Sequence, residues 1–225
     1  MKIDLHVHSL PISRCAHHQP EEIPAFFKKQ NFDAICLTNH CYPQHSDYLA
    51  LNLKDQAKKY IEIYRRCRDS GKVIGIKVFF GLELKLINEE QQPEFLLYGL
   101  SEDTFVNSYP LYGISQKELF DFCNHENIIM IQAHPFRHEQ GYQLADIRYM
   151  HGIEVYNPHP SFPVRYHEAL TLADQYGFIK TAGSDFHIES QVGSAGMIVG
   201  DAIEDQYMLR DFLRSKKQKL IHEVR

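Results

Sequence analysis

Near its start the chain places two imidazoles one residue apart, in Met1-Lys2-Ile3-Asp4-Leu5-His6-Val7-His8. Side chains of an extended strand repeat every two residues, so His6 and His8 point to one face, which Asp4 shares. Two imidazoles aimed at one point form a chelate, since histidine is the commonest metal-binding side chain. Asp185-Phe186-His187 repeats the spacing near the other end, with a carboxylate for one imidazole. The chemistry these pairs suggest is metal-centred hydrolysis. In a chain with 14 histidines one such pair can arise by chance. The reading therefore depends on whether other ligands converge on the same place.

That convergence is a matter of the elements beneath. Short runs rich in Ile, Val, Phe and Leu predict strands over 2–8, 33–38, 73–84, 94–100, 128–133, 152–156 and 178–183. Adjacent apolar residues, as in Ile128-Ile129-Met130-Ile131, are how a strand buried on both faces reads. Between them the pattern predicts helices over 21–30, 47–70, 102–108, 115–126, 162–176 and 204–214. Pro20-Glu21-Glu22 reads as a helix start, and Gly71 and Gly177 as stops. Strand and helix alternate without a Pro/Ser-rich linker, so a single parallel α/β domain over 1–225 is expected, either barrel or open sheet. The hairpin-like stretch 73–100 is the expected departure.

The residues at the predicted carboxyl ends of these strands answer the question. They are His6 and His8, Asn39-His40, Gly81-Leu82-Glu83, Ala133-His134-Pro135, and Gly183-Ser184-Asp185-Phe186-His187. In parallel α/β folds that end of the sheet forms the active-site face. Five strands thus deliver His6, His8, His40, Glu83, His134, Asp185 and His187 to one rim. Nitrogen and carboxylate donors without sulfur suit Zn²⁺, Mn²⁺ or Fe²⁺ better than Mg²⁺ or Ca²⁺. Seven donors exceed what one four-coordinate ion needs, so two or three divalent ions are expected. Ions roughly 3.5–4 Å apart can clamp the attacking and leaving oxygens of an in-line displacement, which suits phosphoester hydrolysis.

These motifs, D-L-H-V-H, T-N-H, G-L-E, A-H-P and G-S-D-F-H, resemble in order the PHP (polymerase and histidinol phosphatase) superfamily, above all its small stand-alone bacterial phosphoesterases. The resemblance implies a distorted seven-stranded (β/α) barrel and a phosphoric ester hydrolase of the histidinol phosphatase kind. In the family pattern His6, His8, Glu83 and Asp185 would hold one ion. Glu83 and His134 would contribute to a second, and His40 and His187 to a third; Glu83, Asp185 and His187 would carry the catalytic role. The chain departs from the pattern in three places. Ser13-Arg14-Cys15-Ala16 lacks the Asp or His that usually follows the first pair, Asn39 replaces an Asp, and Leu96 stands at a usual His. His17 or His18 is the candidate substitute ligand.

For substrate phosphate the candidates are Arg137, Arg14 and Arg165, each near a strand end. Glu154 could orient a ligand imidazole, and Asn157 and His159 could shape the rim. His45, His125, His138, His151, His167 and His222 read as surface or structural residues.

Composition narrows the function. The formal charge is −5, and the basic cluster Arg214, Lys216, Lys217 and Lys219 reads as a solvated tail. That disfavours a broad nucleic-acid face, though a short nucleic-acid substrate stays open. Five cysteines without a C-x-x-C pair argue against a disulfide framework and give no support to a zinc ribbon. With no leader pattern and no long apolar stretch, a cytoplasmic protein without membrane contact is expected. The leading expectation is a phosphoesterase acting on a small phosphorylated metabolite or nucleotide. A nuclease on short ends, a metal-binding module without turnover and an amidohydrolase are the rivals.

Overall fold

β1 (Lys2–Val7) and β2 (Ala34–Leu37) form a parallel pair in the computed structural model, which describes residues 1–43, 51–137, 144–158 and 165–222. The strands that follow are β3 (His40–Cys41), β4 (Lys77–Lys85), β5 (Glu94–Tyr98), β6 (Ile129–Gln132), β7 (Gly152–Tyr156) and β8 (Ile179–Ala182). They run in the order β1-β2-β4-β5-β6-β7-β8, with β3 paired to the far end of β4. Among these seven strands of the described residues, β5 alone runs against its neighbours, pairing antiparallel with both β4 and β6. The expected departure within 73–100 is thus a single reversed strand.

The sheet curls until β8 meets β1. The His8 N–H donates to the Phe186 carbonyl at 3.0 Å, and the Phe186 N–H to the His6 carbonyl at 3.1 Å. This nearly closed barrel matches the expected class. Among the described residues three strands lie beyond the expected seven: the two-residue β3, β9 (Ala195–Ile198) and β10 (Lys219–His222). β9 pairs antiparallel with the amino-terminal half of β1, and β10 with β9. The basic cluster near the carboxyl end is exposed, as expected, but it sits on ordered elements and the turn between them, not on a tail. Lys219 opens β10, Arg214 donates to the Asn127 side chain, and Lys216 donates to the Gly177 carbonyl.

The helices are α1 (Ile23–Lys29), α2 (Leu53–Ile74), α3 (Glu102–Ser108), α4 (Gln116–His125), α5 (Tyr166–Tyr176) and α6 (Gln206–Arg214). Local chemistry sets their ends. The Asn52 side chain accepts the Asp55 N–H at the start of α2, and Ser115 with Glu118 forms a reciprocal cap on α4. Gly71 does not stop α2, contrary to expectation. The helix runs on to Ile74, and Gly75 ends it at φ +72°, where a residue without Cβ is unstrained. Gly71 is instead a packing residue, because an added Cβ would lie 2.7 Å from the Ile76 carbonyl oxygen. The predicted strand at 73 accordingly begins at Lys77. Gly177 does end α5, at φ +62°. Of the predicted helices 47–70 and 162–176, residues 47–50 and 162–164 lie outside the described residues.

Two buried apolar clusters line the two faces of the sheet. One joins strand residues such as Leu37 and Phe80 to Phe27, Tyr60, Phe105 and Leu119 of the helices. The other is made of Ile3, Cys36, Phe79, Leu96, Ile131 and their neighbours inside the curled sheet, with Leu209 and Leu213 of α6. Each fully buried Leu, Ile or Phe contributes about 1.5–3 kcal/mol, so the barrel floor is well supported. Among the described residues no helix is long and apolar enough to cross a membrane.

Candidate metal centre

Where the strands end, the inside of the barrel turns from apolar to polar. His6 and His8 leave β1; His40, in β3, stands directly opposite Glu83 in β4. His134 follows β6, and Asp185 and His187 follow β8. The structure brings all seven expected ligands together. His6, His8, Glu83, His134 and Asp185 are buried, none more than 5% exposed, and His40 and His187 are half-buried.

Glu83 is the hub. Its carboxylate lies 3.2 Å from His6 Nε2, 3.5 Å from His8 Nε2, 2.8 Å from His40 Nδ1 and 3.0 Å from His134 Nε2. Asp185 Oδ1 lies 3.1 Å from His8 Nε2 and 3.4 Å from His6 Nε2. Three triads have ligand atoms within 4.8 Å of one another: His6, His8 and Asp185; His6, Glu83 and His134; His8, His40 and His187. Gly183 permits this crowding, since a Cβ there would sit 2.4 Å from that of His6. Two of the ligands are strained: His134 holds φ +29° and Asp185 φ +53°, at roughly 1–3 kcal/mol each.

The residues behind the ligands fix which nitrogen faces inward. His6 Nδ1 contacts the Glu154 carboxylate at 3.0 and 3.3 Å, which assigns its proton to Nδ1 and a lone pair to Nε2. His8 Nδ1 meets Ser13 Oγ at 3.1 Å. That hydroxyl already donates to Asn39 Oδ1 and accepts the His40 N–H, so His8 must be its second donor. His187 Nδ1 donates to the Asp185 carbonyl at 2.7 Å. His6 Nε2, His8 Nε2, His40 Nδ1 and Glu83 Oε2 are all buried without a hydrogen-bond partner. Leaving one buried polar atom unpaired costs about 1–3 kcal/mol, and four clustered together are the signature of lone pairs converging on a cation. The donor set fits divalent ions.

Charge follows from this packing. Burial opposes ionisation of Glu83 and Asp185, but His6 with His40 in one case, and His6 with Arg137 in the other, holds each carboxyl well below its usual range. Burial also opposes charge on His6, where Glu154, Asp185 and Glu83 outweigh it and raise the ring. Burial and the neighbouring His40 and His187 push His8 down. The centre thus carries ionised carboxylates, as cation binding requires.

Several expectations are placed differently. Asp4 shares no part in the cluster: its carboxylate accepts the N–H groups of His6 and Ser184. Asn39 is no ligand either, its amide joining Ser9 to Ser13 behind His8. Arg14 is exposed, and its neighbour Cys15 faces the site, with Sγ 3.0 Å from His187 Nε2 and 3.2 Å from His40 Nε2. Burial opposes a thiolate there, yet bonds to His187 and His40 bring Cys15 down to about 6. A sulfur atom thus stands beside the rim histidines, where none was expected from the sequence. His17 is exposed and the His18 ring packs on Phe26 and Phe186, so neither takes that place. Leu96 is buried opposite Glu83, and Glu94, two residues earlier, comes within 3.6 Å of His134 Nε2. β5 is reversed, so its amino end is the one at the rim.

Arg137 donates to Asp185 and, at 3.0 Å, to Asn157 Oδ1. Arg165 lines the same crevice, together with His134, Glu154 and Asn157. Two of the three phosphate candidates thus flank the centre and Arg14 does not. His45, His138 and His159 lie outside the described residues.

The comparisons agree with this geometry. A protein of Methanocaldococcus jannaschii is 25% identical over 205 residues, 87% of this chain and 69% of its own. A two-domain protein from Bacteroides vulgatus, containing a predicted PHP-like metal-dependent phosphoesterase, superposes with a TM-score of 0.75 at 20% identity. That match covers 99% of this chain and 65% of the Bacteroides chain, just under two thirds of its length. The lesion-specific endonuclease PfuEndoQ of Pyrococcus furiosus superposes with a TM-score of 0.58 at 14% identity, over 97% of this chain and 57% of that one. The PHP domain model matches residues 4–187, from the carboxylate of β1 to the last rim histidine, and the chain belongs to the PHP domain family.

Proposed function

We propose that this protein is a metal-dependent phosphoesterase that hydrolyses a small phosphorylated metabolite or nucleotide. The observation that carries the reading is the set of buried donor atoms on His6, His8 and Glu83 that lack a hydrogen-bond partner, with Arg137 and Arg165 beside them. His6, His8, Glu83 and Asp185 would hold one ion, and Glu83 with His134 and Glu94 a second. When bound, such ions supply Lewis acidity and a nucleophile at neutral pH.

The chain's own residues do the rest. Glu154 and Ser13 lock the His6 and His8 rings so that little reorganisation accompanies reaction. Arg137 holds Asp185 while its remaining N–H groups are available to phosphate oxygens; a planar guanidinium suits that geometry. The departing oxygen would take its proton from water or a nearby histidine. The crevice beside the ligands carries two arginines, whose guanidinium groups suit a phosphate.

The test is phosphate release from a panel of monoesters by protein loaded with Mn²⁺, Fe²⁺ or Zn²⁺. Turnover of at least one monoester is expected; none, with ion occupancy confirmed, overturns the reading. The fold shared with PfuEndoQ makes short oligonucleotides the second substrate class, and cleavage of those alone would establish it.

A further inference from the structure

We propose that Cys15 is a sulfur ligand that completes a third ion position with His40 and His187, so that this position takes a thiophilic divalent ion such as Zn²⁺. The inference rests on the metal-centre reading above but concerns a residue outside it. Its Sγ stands between two imidazole nitrogens, 3.0 Å from His187 Nε2 and 3.2 Å from His40 Nε2. His187 places its proton on Nδ1, toward the Asp185 carbonyl, which leaves a bare lone pair on Nε2 facing the sulfur. One S–H proton can serve only one of the two nitrogens. A cation between the three atoms serves all of them.

A second observation points to the same place. The His8 ring stacks on His40 at 4.3 Å and on His187 at 4.5 Å between centroids. His8, His40 and His187 each offer an atom within 4.8 Å of the others, which marks the same spot as a cluster of imidazoles able to hold an ion. Tetrahedral Zn²⁺, with bonds of about 2.3 Å to sulfur and 2.0–2.1 Å to nitrogen, would separate S and N by roughly 3.6 Å. The observed separations fall about half an ångström inside that, a distance side-chain rotation covers. Sulfur with imidazole selects Zn²⁺ over Mn²⁺ or Mg²⁺, which favour oxygen. Binding releases the thiol proton to solvent. Cys15 is exposed whereas Cys36, Cys41, Cys67 and Cys123 are buried, so an ion and a thiol reagent can both reach it selectively.

The experiment compares wild type with Cys15→Ser, first freed of metal and then titrated with Zn²⁺, Mn²⁺ and Co²⁺. Wild type should show a near-ultraviolet thiolate-to-Co²⁺ absorption that the variant lacks. The variant should bind one Zn²⁺ at least about tenfold more weakly, with the remaining ions unaffected. Zn²⁺ should also slow iodoacetamide alkylation of wild-type Cys15 at least about tenfold, and Mn²⁺ should not. Because Cys15 is exposed, the serine variant is expected to fold, and circular dichroism checks it. Identical Zn²⁺ affinities, or unchanged alkylation with Zn²⁺ bound in full, overturn the proposal. Protection of Cys15 in a protein that hydrolyses no phosphoester would leave this inference standing and remove the functional one.

Discussion

Two sets of buried polar side chains in this molecule have opposite character. Gln116, at the start of α4, has every amide atom occupied. Its Oε1 accepts the Asp146 N–H, and its Nε2 donates to the carbonyls of Asp146 and Tyr149 at 2.9 and 3.0 Å. His151, half-buried before β7, is similarly satisfied, with Nδ1 accepting the Met130 N–H and Nε2 facing Asn124 Oδ1. At the rim, by contrast, four buried donor atoms face one another unpaired, and two ligands sit on strained backbone. The first set ties loops to the barrel. The second is held in place by surrounding structure at a cost to stability, which a bound cation would offset.

The strongest way to break this contrast is to supply or withhold the cation. At an ion concentration about a thousand times Kd, binding stabilises by about 4 kcal/mol. For a chain of this size that raises Tm by roughly 10 °C, and a chelator should remove the gain. Glu83 touches His6, His8, His40 and His134, so Glu83→Ala should remove most of the gain and abolish any phosphoester turnover. A full thermal response to metal in that variant would show that the unpaired atoms are not ligands.

A paired substitution sharpens the contrast. Glu154→Gln keeps the shape behind His6 but weakens the acceptor for its Nδ1 proton, and should lower metal affinity about 10–100-fold with little change in the metal-free Tm. Gln116→Ala should do the reverse. Its loss orphans the Asp146 N–H and two carbonyls for about 1–3 kcal/mol of stability, while metal affinity stays at the wild-type value. Calorimetric titration with Zn²⁺ and thermal unfolding without it separate the two, and equal effects on both readouts would erase the distinction.

How far each region was legible in the sequence follows from the same physics. The rim ligands on parallel strands were readable because strand direction alone sends a carboxyl-end residue to the site. Glu94 was not, because only the observed pairing shows that β5 is reversed. Cys15 lies in a loop, where no periodicity says which of Arg14, Cys15, His17 and His18 turns inward. Gly71 and Gly75 are equally good helix stops on paper, and the packing of Gly71 against Ile76 decides between them. β9 and β10 are short, and Ile198 stays 41% exposed, so their apolar signal is weak.

The smallest effect concerns the satisfied set. Burial first, and then the Arg214 cation, lower His151 from 6.5 to about 4. A second ring proton would sit on Nδ1, against the Met130 N–H that it now accepts. The folded pKa lies below the unfolded one, so between about pH 6.5 and 4 the unfolded chain binds more protons. The stability contributed by the neutral ring is therefore complete above pH 6.5 and is lost as pH falls toward 4. Discounted for partial exposure, the loss at pH 5 is about 1 kcal/mol, or roughly 2–4 °C. In metal-free protein, wild type should lose that much more Tm between pH 7 and pH 5 than His151→Gln. The rim histidines titrate alike in both proteins, so they cancel in the difference. Parallel pH profiles would mean that His151 is no better partnered than the rim.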